Sequence, residues 1–418
     1  HVNPRAFVDF DFYRRTAAEA ERGLFDAVFL ADFAALQPET VRQPRWTMDP
    51  LVTLSALAAA TEHVGLVATI SSTLTQPYAV ARAIASLDHV SRGRAGWNLV
   101  TSFDPNAGRN FGLNGLPPKD ERYRRAEEYL EVVNKLWDSW EEGALVLDAE
   151  TGVFADLDRV RPIDHHGEFF DVAGPLQVPT PPQGRPVVFQ AGSSEGGRHA
   201  AGRFADAVFT SQLTVGGAVA YRRELRERAA AAGRDPDAIK VFPGIVVVAG
   251  ETDEDAWARR RHLEELSGGR AARIETIQRL LGVDLSTIDL DRPLTPEQLA
   301  RTEGFDTDHR TSGFHRTVID YFKDGTRTLS EFIEGASLGH RALIGSATRI
   351  ADDIEEWLDA GAADGFVLMF DVLPDGLRDF VDLVVPELQR RGRYRTAYEP
   401  GTLADRLGVS RRAEALPA

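Results

Sequence analysis

At 418 residues the chain is too long for one small domain of roughly 100–200 residues, which leaves two or three domains or one large α/β barrel with insertions. Hydrophobic residues at 43% and charged residues at 27% exclude wholesale disorder, and no apolar run approaches the ~20 residues of a membrane span. A formal charge of −16 argues against nucleic acid as a partner, and the absence of cysteine excludes disulfides, thiolate metal sites and thiol nucleophiles.

The first segment, FVDFDFYRRTAAEAERG, has helical period, and the apolar run AVFLAD at 27–32 follows it. Six more short runs follow: VGLVATIS at 64–71, AGWNLVTS at 95–102, PVVFQAG at 186–192, AVFTS at 207–211, VFPGIVVVAG at 241–250 and GFVLMFDV at 365–372. Most are continuously apolar, as strands buried on both faces are. Helical segments separate them. Asp49 and Pro50 mark a helix start, and 121–142 carries Tyr123, Ala126, Tyr129, Leu130, Val133, Leu136, Trp137 and Trp140 at helical spacing. Segments 77–91, 194–204, 215–232, 252–266, 347–360 and 376–391 complete the alternation, which predicts βα units and a parallel sheet.

Seven strands leave a closed (β/α)8 barrel one short. The expectation is a barrel whose first strand precedes residue 1; the alternative is an open doubly wound sheet. Two stretches, 143–185 and 267–345, interrupt the rhythm after strands and are predicted to be insertions at the ligand-binding face of one domain covering 1–418. Within the first, His166-Gly167-Glu168-Phe169 reads as a hairpin turn, so His165 and His166 face opposite ways and make a poor metal site.

Two sets of residues could carry chemistry. The turn Ala191-Gly192-Ser193-Ser194-Glu195-Gly196-Gly197 follows a strand and opens a helix. It suits either an anion at the helix N-terminus or a simple cap in a tight turn. Polar residues recur at strand ends: Asp32, Thr69, Ser71, Asn98, Thr101 and Ser102. His63 and His89 suit helix C-termini. His309 and His315, beside Arg310 and Arg316 in the long insertion, are candidate substrate contacts.

Residues 53–102, GRNFG at 108–112, ERYRRAEEYLEVVNKLWDSW at 121–140, HHGEFFDVAGPLQVPTPPQGRPVVFQAGSS at 165–194 and GAADGF at 361–366 resemble the bacterial luciferase-like flavin monooxygenases. The likeness is greatest to the nitrilotriacetate, EDTA and dibenzothiophene-sulfone monooxygenase branch and runs from about residue 12 to 409. It implies a (β/α)8 TIM barrel with insertions, and reduced FMN (FMNH2) that reacts with O2 to a C4a-hydroperoxyflavin. A small organic substrate would be oxygenated, with C–N or C–S cleavage. Relatives suggest a homodimer or homotetramer; the lack of a dinucleotide motif points to a separate NAD(P)H:flavin reductase, and the lack of an export signal or membrane span to a cytoplasmic setting away from membranes. By position, Asp32, Thr69, Ser71 and Asn98 would lie beside the flavin ring, Tyr123 near the phosphate or ribityl chain, and Ser193 and Ser194 at the phosphate. Lys119 stands where relatives often carry histidine. No metal is implied, and His315 and Arg316 remain the candidates for catalysis. The alternatives are a deazaflavin-dependent oxidoreductase of the same superfamily and a non-catalytic flavin-binding protein.

Overall fold

The structure, a computed structural model, describes residues 5–36, 48–192, 194–282, 284–303, 312–337 and 339–409. The chain divides into two compact units, one of His1–Gln190, Phe204–Asp206 and Ala397–Ala418, the other of Ala191–Arg203 and Ala207–Thr396.

In the first unit, β1 (Ala27–Leu30), β2 (Gly65–Ser71), β3 (Ala95–Val100) and β4 (Val187–Ala191) run parallel in that order. The register sets Ala68 against Trp97, Thr69 against Asn98 and Asn98 against Phe189. Every residue of β2 from Gly65 to Thr69 and of β3 from Ala95 to Leu99 is buried, the polar Thr69 and Asn98 included, as strands covered on both faces require. Helices α1 (Phe10–Arg22), α2 (Pro50–Ala58), α3 (Pro77–Ser91) and α4 (Lys119–Trp137) bring their apolar faces to a core that includes Leu54, Ile84, Trp97, Tyr129, Leu136 and Trp137. The buried indole N–H groups are satisfied: Trp97 donates to Ile70 O at 3.2 Å and Trp137 to Ala81 O at 3.0 Å. Asp49 caps α2 through Val52 N, with Pro50 in the first turn, as the sequence signals. Helix α4 ends at Trp137 rather than residue 142. Ser139 Oγ turns back to Leu136 O and Trp140 leaves the helix to donate to Leu176 O.

In the second unit, the long β6 (Lys240–Gly250) pairs in parallel with β5 (Ala207–Thr210) over its first four residues. Farther along it pairs with β8 (Val367–Phe370) and with β7 (His340–Ser346), again in parallel. All seven predicted runs are strands. The correction is β7, which begins inside the stretch read as the 267–345 insertion. Only Ala342-Leu343-Ile344 is continuously apolar there, too short a run beside His340 and Arg341 to register as a strand.

The 143–185 insertion holds two hairpins, Leu145–Asp148 with Val153–Ala155 and His165–His166 with Asp171–Val172. In the second, His165 is buried against Glu128 and His166 is exposed beside Asp171, so the two imidazoles do diverge. The long insertion is helical rather than loop-like. Helix α5 (Glu195–Phe204), α6 (Val215–Ala231) and α7 (Asp253–Leu266) precede α8 (Gly269–Leu281), α9 (Pro296–Glu303), α10 (Ser312–Phe322) and α11 (Leu329–Gly335). Leu281, Val318, Phe322, Leu329 and Phe332 give the insertion its own apolar cluster. Two bonds tie it to the end of β5: Thr317 Oγ1 donates to Ser211 O at 3.2 Å, and Ser211 Oγ donates to Gly339 O. Among the described residues no helix is long and apolar enough to cross a membrane.

Candidate active site

The carboxyl ends of β2 and β3 collect the polar strand-end residues of the first unit. Thr69 and Asn98 stand opposite each other and are both buried, at 4% and 3% exposure. Asn98 Nδ2 donates to Thr69 Oγ1 at 2.9 Å. Its other amide atom, Oδ1, is buried without a hydrogen-bond partner among the described residues. A buried acceptor left unmet costs about 1–3 kcal/mol, so this oxygen stands out among the described residues. Gln190 Oε1, on β4, is a second buried carboxamide oxygen in the same condition.

Beyond this pair the chain is tightly held. Ser102 adopts φ +56°, and its Oγ donates to Ser71 Oγ at 2.8 Å. Thr73 Oγ1 donates to Thr101 O at 2.7 Å. The buried Arg122 of α4 gives Nη1 to Ser102 O and, at 3.4 Å, to Thr101 O. Burial holds its guanidinium below the usual arginine range. Arg122 was not among the residues singled out from the sequence, although a signal exists. It shares a helical stripe with Ala126, Tyr129, Leu130 and Val133, and a charge on an apolar stripe is a charge that will be buried. Lys119 and Tyr123 are partly buried and one turn apart at the start of the same helix.

Asp32 lies two residues past β1, partly buried, and accepts Phe33 N at 2.8 Å. Burial pushes its carboxyl above the usual range; the Phe33 N–H opposes this and the Asp49 charge adds to it.

In the second unit, Ser194 begins α5. Its carbonyl accepts Arg198 N at 2.8 Å and its Oγ accepts Gly197 N at 3.2 Å, so the hydroxyl performs the capping role. A Cβ on Gly197 would lie 3.2 Å from both Gly192 Cα and Ser194 Oγ, which fits a turn kept small and close to backbone. Tyr221 OH donates to Gly192 O at 2.9 Å and fixes that turn from α6. Ser193 lies outside the described residues, as do His309, Arg310 and the side chain of His315, whose backbone belongs to α10. Arg316 is exposed on the same helix, 4.0 Å from Asp320.

An α/β chain with buried polar groups at the carboxyl ends of parallel strands is a ligand-binding enzyme scaffold, and the comparisons define its class. The chain belongs to the luciferase-like monooxygenase family, whose model matches residues 3–364. It is a flavin-dependent monooxygenase with the barrel fold of that family. Among its relatives are nitrilotriacetate monooxygenase component A of Aminobacter aminovorans, 40% identical over 98% of this chain and 92% of that one, and dibenzothiophene-sulfone monooxygenase of Rhodococcus erythropolis, 39% identical over 96% and 90%. The solved EDTA monooxygenase of a Chelativorans species superposes with a TM-score of 0.81 at 35% identity, covering 97% of this chain and 93% of that one.

Proposed function

We propose that the chain is the oxygenase component of a two-component system, taking reduced FMN from a separate NAD(P)H:flavin reductase and oxygenating a small organic substrate through a C4a-hydroperoxyflavin. One atom of O2 enters the substrate, the other leaves as water, and reduced FMN supplies the two electrons. Oxygenation of a carbon beside nitrogen or sulfur leads to C–N or C–S cleavage, the bonds suggested by relatives named for nitrilotriacetate and dibenzothiophene sulfone. The observation that carries the reading is the buried Thr69–Asn98 pair with its unmet acceptor, at the carboxyl ends of β2 and β3.

The residues fit such a cofactor. Asp32, Thr69, Ser71 and Asn98 are the groups for the ring, and Lys119 and Tyr123 those for its polar tail. The helix N-terminus at Ser194, with Ser193 next to it in the sequence, is the place for the phosphate. The 267–345 insertion excludes water during turnover, and His315 and Arg316 are the substrate contacts. A homo-oligomer and a cytoplasmic setting belong to the same reading. A relative named as component A supports the second component.

Rapid mixing of the protein and chemically reduced FMN with aerated buffer tests this. A transient hydroperoxyflavin absorbance is expected, followed by substrate-dependent decay. Immediate featureless reoxidation to free FMN and peroxide refutes it, and hydride transfer without oxygen uptake would favour a deazaflavin enzyme.

A further inference from the structure

We infer that the second unit carries a binding site for a small organic monoanion, a carboxylate on a short apolar body, in a cleft of about 460 Å³ between α6 and the turn after the helix Ala347–Asp359. The inference is independent of the flavin reading. The volume falls within the ~300–1,000 Å³ of small-ligand sites. Arg222, Arg223 and Arg226 line the cleft from one helix, and Val219, Pro236 and Ala360 give it an apolar wall. Arg222 is held by a carboxylate: its Nε and Nη2 donate to Asp364 Oδ2 and Oδ1 at 2.9 and 2.5 Å, which leaves Nη1 with a 3.4 Å contact to Gly361 O. Asp364 also accepts Val241 N at 2.9 Å, near the start of β6. The cleft therefore lies beside the beginning of β6 and not at the carboxyl ends of the strands.

The other two arginines have donors to spare. Arg226 reaches Asp237 Oδ1 through Nη2 at 2.7 Å, and its Nε is buried without a hydrogen-bond partner among the described residues. Arg223 stands 3.9 Å from Glu227, with the two side chains 73% and 70% exposed, a pair worth little in water. Three guanidinium groups thus bring N–H donors to one space, and a carboxylate is an acceptor whose two oxygens can take more than one of them. Asp364, Asp237 and Glu227 offset most of the arginine charge, which leaves enough for a single negative charge and disfavours a phosphate dianion. The apolar wall favours a ligand with a hydrocarbon body over a bare inorganic ion, because only the former buries Val219, Pro236 and Ala360.

The test is calorimetric titration of benzoate, its uncharged counterpart benzamide and inorganic phosphate into the full chain and into the variants Arg226→Met and Ala360→Trp. Benzoate is expected to bind at least about tenfold more tightly than benzamide or phosphate. Arg226→Met keeps the aliphatic stem, removes the open donor, and is expected to weaken benzoate about tenfold, the size of one charge-assisted hydrogen bond. Ala360→Trp fills the cleft from an exposed position and leaves all three arginines in place. A loss of about tenfold or more is expected there too, and this variant carries the test if Arg226→Met does not fold. Absence of benzoate binding, benzamide or phosphate binding as tightly as benzoate, or wild-type benzoate affinity in either folded variant overturns the site. Wild-type affinity in both would leave the arginines as partners of Asp364, Asp237 and Glu227 alone.

Discussion

Leu403 occupies the space a side chain on Gly65 would need: a Cβ at that position would meet Leu403 Cδ1 at 2.7 Å and Asp26 O at 2.9 Å. Leu403 is fully buried although it lies well past residue 364, where the family match ends. Its N–H donates to Gly93 O at 2.8 Å, and Ala404 N donates to Gln183 Oε1 at 3.0 Å. Gln183 in turn gives Nε2 to the buried carboxylate of Asp88. The segment therefore seals the start of β2 and β3, opposite the carboxyl ends that carry the candidate site. Leu403→Ala is expected to cost about 2–5 kcal/mol by cavity formation. Gly65→Ala is expected to cost about 1–3 kcal/mol by overpacking, because the buried Leu403 side chain and the Asp26 carbonyl both crowd the added methyl. Urea denaturation of the two single variants and the double variant checks the contact. The double variant should lose less than the sum, since the shortened side chain at 403 makes room for the added methyl.

His340 sets an acid limit on the second unit. Its ring stacks on Phe209 at 5.3 Å between centroids, and a Cβ on Gly244 would lie 2.6 Å from His340 Nδ1. Burial pushes the imidazole down from 6.5 to about 4. The unfolded chain thus takes up this proton at higher pH than the folded one. The stability linked to this group is complete above about pH 6.5 and drains away as pH falls toward 4, by about 3 kcal/mol in total. His340→Phe keeps the stack and removes the titration. The expected outcome is a flatter fall in denaturation midpoint between pH 7 and 4.5 than wild type shows; parallel slopes would mean the acid sensitivity lies elsewhere.

Ser194 separates capping from phosphate binding. Aspartate is as good an N-cap as serine, so Ser194→Asp should change stability by no more than about 0.5 kcal/mol. Its negative charge, placed at the helix start, opposes a phosphate there. FMN affinity is expected to fall at least tenfold, on the order of the energy of charge at a helix terminus and of a lost phosphate hydrogen bond, while riboflavin affinity holds. Equal affinities of the variant and the wild type for FMN would leave this residue as a cap only.

Much of this was legible from residue pattern. The continuous apolar runs ending in Asp32, Thr69 and Ser71 announced buried strands with polar tips, because a strand covered on both faces has little reason to carry a hydroxyl there except at its end. Asn98 was legible for the same reason, one residue type out of place in a buried strand. What sequence could not show was pairing: that Asn98 faces Thr69 depends on a register that neither strand encodes alone. Strand β7 was illegible because Arg341 neutralises itself through Asp353 and packs over Trp357, 4.1 Å from the ring, partners supplied by the following helix (Ala347–Asp359). The helical stripe signals that Arg122 is buried, but not its partners, which are carbonyl oxygens that no sequence motif records.

Arg122 is expected to be the support on which the loop after β3 depends. Its Nη1 bond holds Ser102 O while Ser102 sits in the left-handed region, a conformation that costs a residue with a side chain about 1 kcal/mol. Arg122→Met keeps much of the buried stem but leaves Ser102 O unmet, and a loss of about 1–3 kcal/mol follows. Released from the clamp, Ser102 relaxes and its bond to Ser71 is lost with it. Ser102→Gly removes the strain without touching the arginine, so by itself it should cost little or stabilise slightly. In the Arg122→Met background it should fail to restore riboflavin affinity, because glycine has no hydroxyl to set Ser71. Thermal midpoints together with riboflavin titration of the four proteins check this. Affinity that follows stability through all four would reduce Arg122 to a general core residue, whereas affinity lost in both arginine variants out of proportion to the change in stability establishes it as a positioning residue for the strand ends.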